Sequence, residues 1–146
     1  MYNNLIELTH GVTRVLGSAG LTNVQRFILA GGDNIVDASA ATQQIFIYAA
    51  AGNDRIGAGA GNDQLWGYGG ANTFVFMNNW GDDIINDWSS GIGNKLDLTA
   101  LASAGVHAIS DLTISIAAGS TIVEYGTSSI TVYGHTGLTT SDFLFA

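Results

Sequence analysis

Aspartate and asparagine residues recur at a fixed spacing in residues 49–76, AAAGNDRIGAGAGNDQLWGYGGANTFVF. Asp54, Asp63 and Asn72 follow one another at nine-residue intervals, and a large apolar residue comes two positions after each of them. Aspartate has a short side chain whose carboxylate suits oxygen coordination in turns. Nine residues is neither a helical heptad nor a strand alternation, so a larger unit must be repeating. The same letters also have a simpler interpretation, because an isolated Gly-Asn-Asp is ordinary turn chemistry.

The charge balance favours cations over anionic partners. The 146 residues include 12 Asp and Glu against 4 Lys and Arg, which gives a formal net charge of −8, and ten of the twelve acids are Asp. Such a charge disfavours nucleic acid and anionic membranes. The chain has no cysteine, which excludes disulfides and thiolate metal sites. No apolar run reaches the length of a membrane helix, and the first residues lack the basic and apolar regions of a secretory signal peptide.

Side-chain arrangements that perform catalysis are not found in the sequence. It contains no HExxH zinc motif, no GxSxG elbow and no GxxxxGK phosphate loop. His10, His107 and His135 are far apart in the chain, and we interpret them as turn residues rather than bases. Asp82 and Asp83 form a carboxylate pair, but a cation bound nearby would keep both ionised and unsuited to proton donation. The sequence therefore predicts a protein that is not an enzyme.

Short strands are the elements that must position the repeated residues. The chain has 20 glycines and is rich in Thr, Ser, Ile and Val, with turn signals at short intervals. The predicted strands are residues 26–30, 34–39, 44–48, 55–57, 64–67, 73–76, 83–88, 95–98, 112–116, 121–125, 129–134 and 142–146.

The spacing of the apolar runs divides one domain, residues 1–146, into three parts. From 24 to 88 the runs come every nine to ten residues, whereas from 89 to 146 longer alternating strands predict an antiparallel cap. Residues 1–23 are predicted to be an N-terminal cap or a degenerate coil of the same winding. The one helix that the pattern predicts is residues 99–105, ending at a glycine as a C-cap would.

In a nine-residue frame the repeat has the form Gly-Gly-x-Gly-x-Asp-x-U-x, where U is a large apolar residue. Residues 49–57 are AAAGNDRIG, residues 58–66 are AGAGNDQLW and residues 67–75 are GYGGANTFV. This resembles the calcium-binding nonapeptide of the RTX family. The later segments NTFVF, SITVYG and LTTSDFLF are similar to the ends of serralysin-type proteases, secreted lipases and alginate epimerases. The resemblance implies an all-β fold, a short parallel β-roll followed by an antiparallel C-terminal cap.

The resemblance also implies where cations bind. Two nonapeptides make one coil, so the turn 49–54 stacks beside the turn 67–72, and the turn 58–63 lies on the opposite edge beside residues 78–83. Ile45 stands where the motif requires Asp, so its turn is expected to bind no ion. Asn94 also stands where relatives often carry Asp, and Asp37 is a further oxygen donor. The expected metal ligands, through side chains or backbone carbonyls, are Asp33, Asn34, Ala49, Ala51, Gly52, Asn53, Asp54, Ala58, Ala60, Gly61, Asn62, Asp63, Gly67, Gly69, Asn72, Asp82, Asp83 and Asp87.

Two groups of residues, four of the expected ligands and five aromatic residues, have a second interpretation. Asp33, Asp82, Asp83 and Asp87 fit solvated loop acids as well as ligands. The aromatic residues Trp66, Trp80, Trp88, Tyr48 and Tyr68 could form a strip that stacks on sugars, although packing in the core or cap is the favoured interpretation. We expect roughly two to four Ca²⁺ ions, with the moderate affinity of extracellular modules.

The function implied by the resemblance is a calcium-binding module of a bacterial extracellular or cell-surface protein. Such a module folds on binding Ca²⁺ after export by a type I secretion system, and SDFLFA is similar to the ends of exported chains. The alternative is a cell-surface structural protein that assembles with itself. A start at Met1 favours that alternative, whereas early residues that look like the middle of a solenoid favour the module. Polysaccharide binding is a weaker third possibility.

Overall fold

The structure is a computed structural model that describes residues 25–89 and 92–146, together with the backbone of two short strands nearer the N-terminus. The strands are β1 (Leu5–Glu7), β2 (Thr13–Val15), β3 (Arg26–Ile28), β4 (Ile35–Asp37), β5 (Phe46–Tyr48), β6 (Arg55–Gly57), β7 (Gln64–Trp66), β8 (Thr73–Val75), β9 (Asp82–Ile85), β10 (Lys95–Asp97), β11 (Thr113–Ala117), β12 (Ser120–Tyr125), β13 (Ser128–Val132) and β14 (Phe143–Leu144). Three 3₁₀ helices are described: Thr99–Ala104, Ile109–Asp111 and Thr140–Asp142.

Successive strands alternate between two sheets, which is the winding of a β-roll. The eight-stranded sheet has the order β1-β3-β5-β7-β9-β13-β12-β11, and the six-stranded sheet has the order β14-β10-β8-β6-β4-β2. All pairs from β1 to β10 are parallel, so each pair of consecutive strands forms one coil. The predicted fold class, a parallel roll with antiparallel strands at its C-terminal end, is confirmed.

The middle residue of each short strand forms the core between the two sheets. Side chains alternate across a strand, so one inward residue is flanked by two outward ones. The register stacks these residues in columns: Ile47 of β5 lies beside Leu65 of β7, and Ile56 of β6 lies beside Phe74 of β8. All four are at most 1 % exposed, so the repeated apolar residue of the nonapeptide is the core residue of the roll.

The strands of the roll are shorter than several of the predicted ones. The sequence pattern predicts strands at residues 26–30, 34–39 and 44–48, but β3, β4 and β5 have three residues each. The reason is the winding itself, because a nine-residue unit must reserve about six residues for the turn that reverses the chain.

The antiparallel part of the molecule is narrower than residues 89–146. β10 continues the six-stranded sheet in parallel, and β14 pairs in parallel with β10. Among the strands that the structure describes, only β11, β12 and β13 are antiparallel to their neighbours in sequence, while β13 itself lies parallel to β9. The helix predicted at 99–105 is present as a 3₁₀ helix, and Gly105 ends it with a left-handed φ of 94°. The early prediction for residues 1–23 falls outside the described residues except for β1 and β2, which pair in parallel with β3 and β4.

Candidate metal centre

The turns between strands stack along two edges of the roll. The first edge contains the turns 29–34, 49–54 and 67–72, followed by the described residues 86–89 and 92–94, and the second contains the turns 38–45, 58–63 and 76–83. Backbone hydrogen bonds join neighbours on the first edge, where Gly32 N donates to Ala51 O at 2.7 Å and Gly52 N donates to Gly69 O at 3.2 Å. The predicted stacking of turn 49–54 beside 67–72, with 58–63 on the opposite edge beside 78–83, is therefore present.

Side chains at the sixth position of the nonapeptide form a column along the first edge. Asn34 N donates to Asp54 Oδ1 at 2.8 Å, and Asp54 N donates to Asn72 Oδ1 at 2.9 Å. Asn72 N in turn donates to Asn94 Oδ1 at 2.8 Å. Each side-chain oxygen thus accepts the peptide N–H of the coil before it. All four residues are buried, so these bonds satisfy N–H groups that water does not reach.

The second edge has a shorter column of the same kind. Asp63 Oδ1 accepts from Ile45 N at 2.8 Å, and Asp83 Oδ1 accepts from Asp63 N at 2.7 Å. Ile45 begins the column and Ile130, which pairs in register with Asp83, ends it. The two carboxylates and the two isoleucines are all 0 % exposed, so both acids lie between apolar residues along the roll axis.

Two of the buried carboxylates have an oxygen without a hydrogen-bond partner among the described residues. These atoms are Asp54 Oδ2 and Asp83 Oδ2, and the one other buried side-chain atom in that state is Asn86 Nδ2. Asp63 differs, because its Oδ2 accepts from Gly59 N of its own turn at 3.1 Å. A buried polar atom that lacks a partner is costly, and an ionised carboxylate is more costly still unless a cation lies beside it.

Burial makes the charged form of these acids unfavourable. The pKa of Asp83 is raised to about 9, mainly by burial; the hydrogen bond from Asp63 N lowers it in part, and the nearby charges of Asp63 and Asp82 add to the rise. Burial likewise raises the pKa of Asp63 to about 6, and it raises the pKa of Asp54. A divalent cation at the turns would reverse this effect, since an adjacent positive charge stabilises the carboxylate form.

Close contact between neighbouring turns explains the glycine at the fourth position. A Cβ on Gly70 would lie 2.0 Å from Gly52 O, and a Cβ on Gly52 would lie 2.4 Å from Gly32 O. Both residues also have positive φ, 97° and 150°, which most side chains avoid. Each of these glycines therefore lies close to a carbonyl oxygen of the turn before it, in a position where a side chain would push the two turns apart.

The fifth position forms a second ladder on the outside of the turns. Asn53 N donates to Asp33 Oδ1 at 2.7 Å, and Ala71 N donates to Asn53 Oδ1 at 2.8 Å. On the other edge Asp82 N donates to Asn62 Oδ1 at 3.0 Å. Asp33 and Asp82 are exposed, as the interpretation of solvated acids requires. Asp83 is buried, so that interpretation is wrong for Asp83.

Asp87 binds backbone rather than standing free. Its Oδ1 accepts from Gly67 N at 2.8 Å and its Oδ2 accepts from Tyr68 N at 2.6 Å. Both oxygens therefore hold the start of the turn 67–72. Asp37 lies on the outer face of β4, where its Oδ1 accepts from Ser39 N at 3.0 Å.

The described residues bring the predicted ligands together as stacked turns rather than as side-chain clusters. No group of three or more His, Cys, Asp or Glu side chains surrounds one point within the described ranges. Each buried acid instead lies at the end of a turn that contains alanines predicted to bind a cation through their carbonyls: Ala49 and Ala51 before Asp54, and Ala58 and Ala60 before Asp63. One carboxylate with backbone carbonyls is an oxygen donor set that suits a hard cation such as Ca²⁺.

Residues 46–76 match the family model of the RTX calcium-binding nonapeptide repeat (4 copies). The chain contains an RTX β-roll. The match covers β5 to β8, the coils in which partners such as Ile47 and Leu65 are separated by 18 residues, two nonapeptides. No curated protein matches the chain. RTX repeats bind calcium, and the buried, unpartnered oxygens of Asp54 and Asp83 fit that ion.

Two residues of the RTX roll that sequence reasoning missed complete the second edge. Ser128 Oγ accepts from Gly81 N at 3.3 Å, and Ser129 Oγ donates to Asp82 Oδ1 at 2.9 Å. These contacts span 47 residues and depend on β13 lying beside β9. No local signal in the sequence indicates them, because Ser128 and Ser129 lie outside the repeat.

The aromatic residues divide between core and surface. Trp80 and Trp88 are at most 9 % exposed, so the packing interpretation is correct for them, and Trp80 Nε1 donates to Ser129 O at 3.0 Å. Tyr48 and Trp66 instead stack on the outer face of the eight-stranded sheet, with ring centroids 4.4 Å apart. Within the described part of the chain, no helix has the length and apolarity to cross a membrane.

Proposed function

We propose that the RTX roll is a non-catalytic module of a bacterial extracellular or cell-surface protein, exported by a type I secretion system and folded by calcium after export. The observation that carries this proposal is the set of buried turn carboxylates, Asp54, Asp63 and Asp83, which are 0–2 % exposed. Without a cation, burying these carboxylates in their ionised form destabilises the folded state. With calcium, the free energy of binding becomes free energy of folding.

The difference in calcium concentration across the cell envelope gives this coupling its direction. At cytosolic calcium levels the acidic turns repel one another, and the chain stays loose enough to pass through a channel. Outside the cell, calcium at about 10⁻⁴ to 10⁻³ M matches the affinity of extracellular calcium modules. The formal net charge of −8 adds to the repulsion in the calcium-free chain. We expect roughly two to four ions per chain.

A calcium titration of the EGTA-stripped protein tests this proposal. Far-UV circular dichroism and light scattering are followed together, with Mg²⁺ as the control cation because it demands a smaller and more rigid site. We expect β-structure to appear near millimolar Ca²⁺ at constant mass, and the double variant Asp54→Ala with Asp63→Ala to shift the midpoint upward. Full β-structure in EGTA with no response to Ca²⁺ would contradict the proposal.

A second candidate function is a self-assembling surface protein, and the exposed edge of the eight-stranded sheet favours it. β11 is the last strand of that sheet and all five of its residues are exposed, with Ile114 at 38 % and Ile116 at 62 %. An exposed apolar edge strand can pair with another chain. If the mass in light scattering rises together with β-structure, and Ile116→Lys prevents that rise, assembly is the better description.

A further inference from the structure

The side chain of an Asn at the end of a turn can donate a hydrogen bond, whereas the carboxylate of an Asp in the same position can only accept one. The amide of Asn72 uses both of its ends: Oδ1 accepts from Asp54 N at 2.9 Å, and Nδ2 donates to Gly67 O at 3.0 Å. Because Oδ1 is held by the peptide N–H of the coil before it, the NH₂ group must face the backbone of its own turn. Gly67 is the first residue of that turn, so the amide closes the turn from end to end.

The side-chain amides of the other two asparagines on the first edge also face their own turns. Asn34 Nδ2 lies 2.6 Å from Gly32 O and 3.0 Å from Ala30 O, both in its own turn, and it also lies 2.8 Å from Asp54 Oδ1 in the next coil. Asn94 Nδ2 donates to Ser89 O at a longer 3.5 Å. In all three turns an N–H donor therefore faces the carbonyl oxygens that a bound cation would otherwise neutralise.

Asp54 occupies the same column but has no such donor. Its Oδ1 accepts from Asn34 N at 2.8 Å, just as the Asn72 oxygen accepts from Asp54 N. Its Oδ2 is left in the place of the amide nitrogen, is buried, and has no partner among the described residues. A carboxylate oxygen cannot donate to a carbonyl, so acceptors face acceptors unless a cation lies between them. Asp83 Oδ2, on the second edge, is in the same state.

We propose that the side-chain amides of Asn34, Asn72 and Asn94 replace the cation in their own turns. Calcium is then confined to the turns that end in Asp, namely those of Asp54, Asp63 and Asp83. Asn72 and Asn34, which are among the metal ligands expected from the sequence, are calcium substitutes instead. This inference rests on the calcium-binding function proposed for the roll, and it makes the first edge less dependent on calcium than the second.

The variant Asn72→Asp tests the inference by removing one donor at constant size. We expect isothermal titration calorimetry to show one more Ca²⁺ ion per chain than in the unmodified protein. The urea midpoint in EGTA should fall, because the new carboxylate faces Gly67 O with no cation present. Gln25→Glu is the control: it also converts an amide to a carboxylate, but Gln25 is exposed and precedes the described turns of both edges, so the change should alter neither quantity.

The reverse change keeps the test decisive if Asn72→Asp fails to fold. Asp54→Asn should bind one ion fewer while the ratio of folded to unfolded protein in EGTA rises about five- to tenfold, the effect of one added hydrogen bond. Asp54→Ala should also lose an ion but be less stable in EGTA, since alanine neither donates nor accepts. An Asp54→Asn protein that retains every ion, or that is no more stable than Asp54→Ala in EGTA, would overturn the inference. Failure of the unmodified protein to bind Ca²⁺ would instead overturn the proposed function.

Discussion

Asp54 and Asn72 lie in consecutive coils of the roll, and the peptide nitrogen of Asp54 donates to the side-chain oxygen of Asn72 at 2.9 Å. Asp54 in turn accepts the peptide N–H of Asn34 at 2.8 Å, so the contact repeats with the same direction along the edge. The sixth residue of each nonapeptide therefore has two roles. It satisfies a buried backbone group in the coil before it, and it presents its second side-chain atom to its own turn.

The buried acid of the second edge is expected to matter more for calcium than its exposed neighbour. Asp83→Ala should raise the calcium concentration at the folding midpoint by about tenfold, equivalent to about 1.4 kcal/mol, because it removes a buried carboxylate. Asp82→Ala should have a smaller effect, since Asp82 is exposed. Circular dichroism during a calcium titration measures both midpoints. Equal shifts would mean that net charge, rather than the buried oxygen, determines the affinity.

Alanine variants at the adjacent glycines Gly69 and Gly70 test whether neighbouring turns are in close backbone contact. Gly70→Ala should destabilise the calcium-loaded roll by about 2 kcal/mol or more, because its Cβ would lie 2.0 Å from Gly52 O at a φ of 97°. Gly69→Ala is the control, since its Cβ would have no neighbour closer than 3.9 Å. Urea unfolding in saturating Ca²⁺ measures the difference, which should fall to about 1 kcal/mol, the strain of the left-handed φ by itself, if neighbouring turns are not in close contact.

The ion pair between Arg55 and Asp97 predicts a pH-dependent contribution to stability. Arg55 Nη2 lies 2.8 Å from Asp97 Oδ2 on the outer face of the six-stranded sheet. Burial favours a higher pKa for Asp97, but hydrogen bonds from Thr99 and Arg55 outweigh it, so the pKa lies below its usual value. A lowered pKa stabilises the fold above the unfolded-state pKa of about 4, and this stabilisation is lost as pH falls through the folded-state value.

Asp97→Asn should therefore lower the free energy of unfolding by about 1 to 2 kcal/mol at pH 7, a value reduced because Arg55 is 48 % exposed. The difference from the unmodified protein should shrink toward pH 3. Chemical denaturation at the two pH values measures it, and Asp37→Asn on the same sheet face serves as the comparison. A difference that is independent of pH would show that the ion pair contributes nothing.

The core of the roll should be sensitive to loss of its repeated apolar residues. Leu65→Ala should lower the free energy of unfolding by about 2 to 5 kcal/mol, because Leu65 is 0 % exposed between the sheets. Ile116→Ala in β11 should cost less than about 1 kcal/mol, since that side chain is 62 % exposed. Thermal unfolding in the presence of Ca²⁺ compares them, and similar losses would contradict the placement of the core.

The nine-residue period determined the roll, because it is a local pattern. Six turn residues and three strand residues per unit place alternate turns on opposite edges, so the stacking of turn 49–54 beside 67–72 followed from the spacing together with the family resemblance. The inward position of Ile56 and Leu65 followed from the same frame. The family resemblance and the placement of acids at the turns required no knowledge of distant contacts.

Only the tertiary structure decided which oxygens lack partners. Asp54 and Asp63 stand at identical positions of the repeat, yet Asp63 Oδ2 accepts from Gly59 N whereas Asp54 Oδ2 has no partner among the described residues. The full burial of Asp83 depends on β13, which lies about fifty residues further along the chain and pairs with β9. A repeat fixes what is periodic along the chain. Burial and hydrogen bonding depend on the neighbouring coils, which differ from one turn to the next.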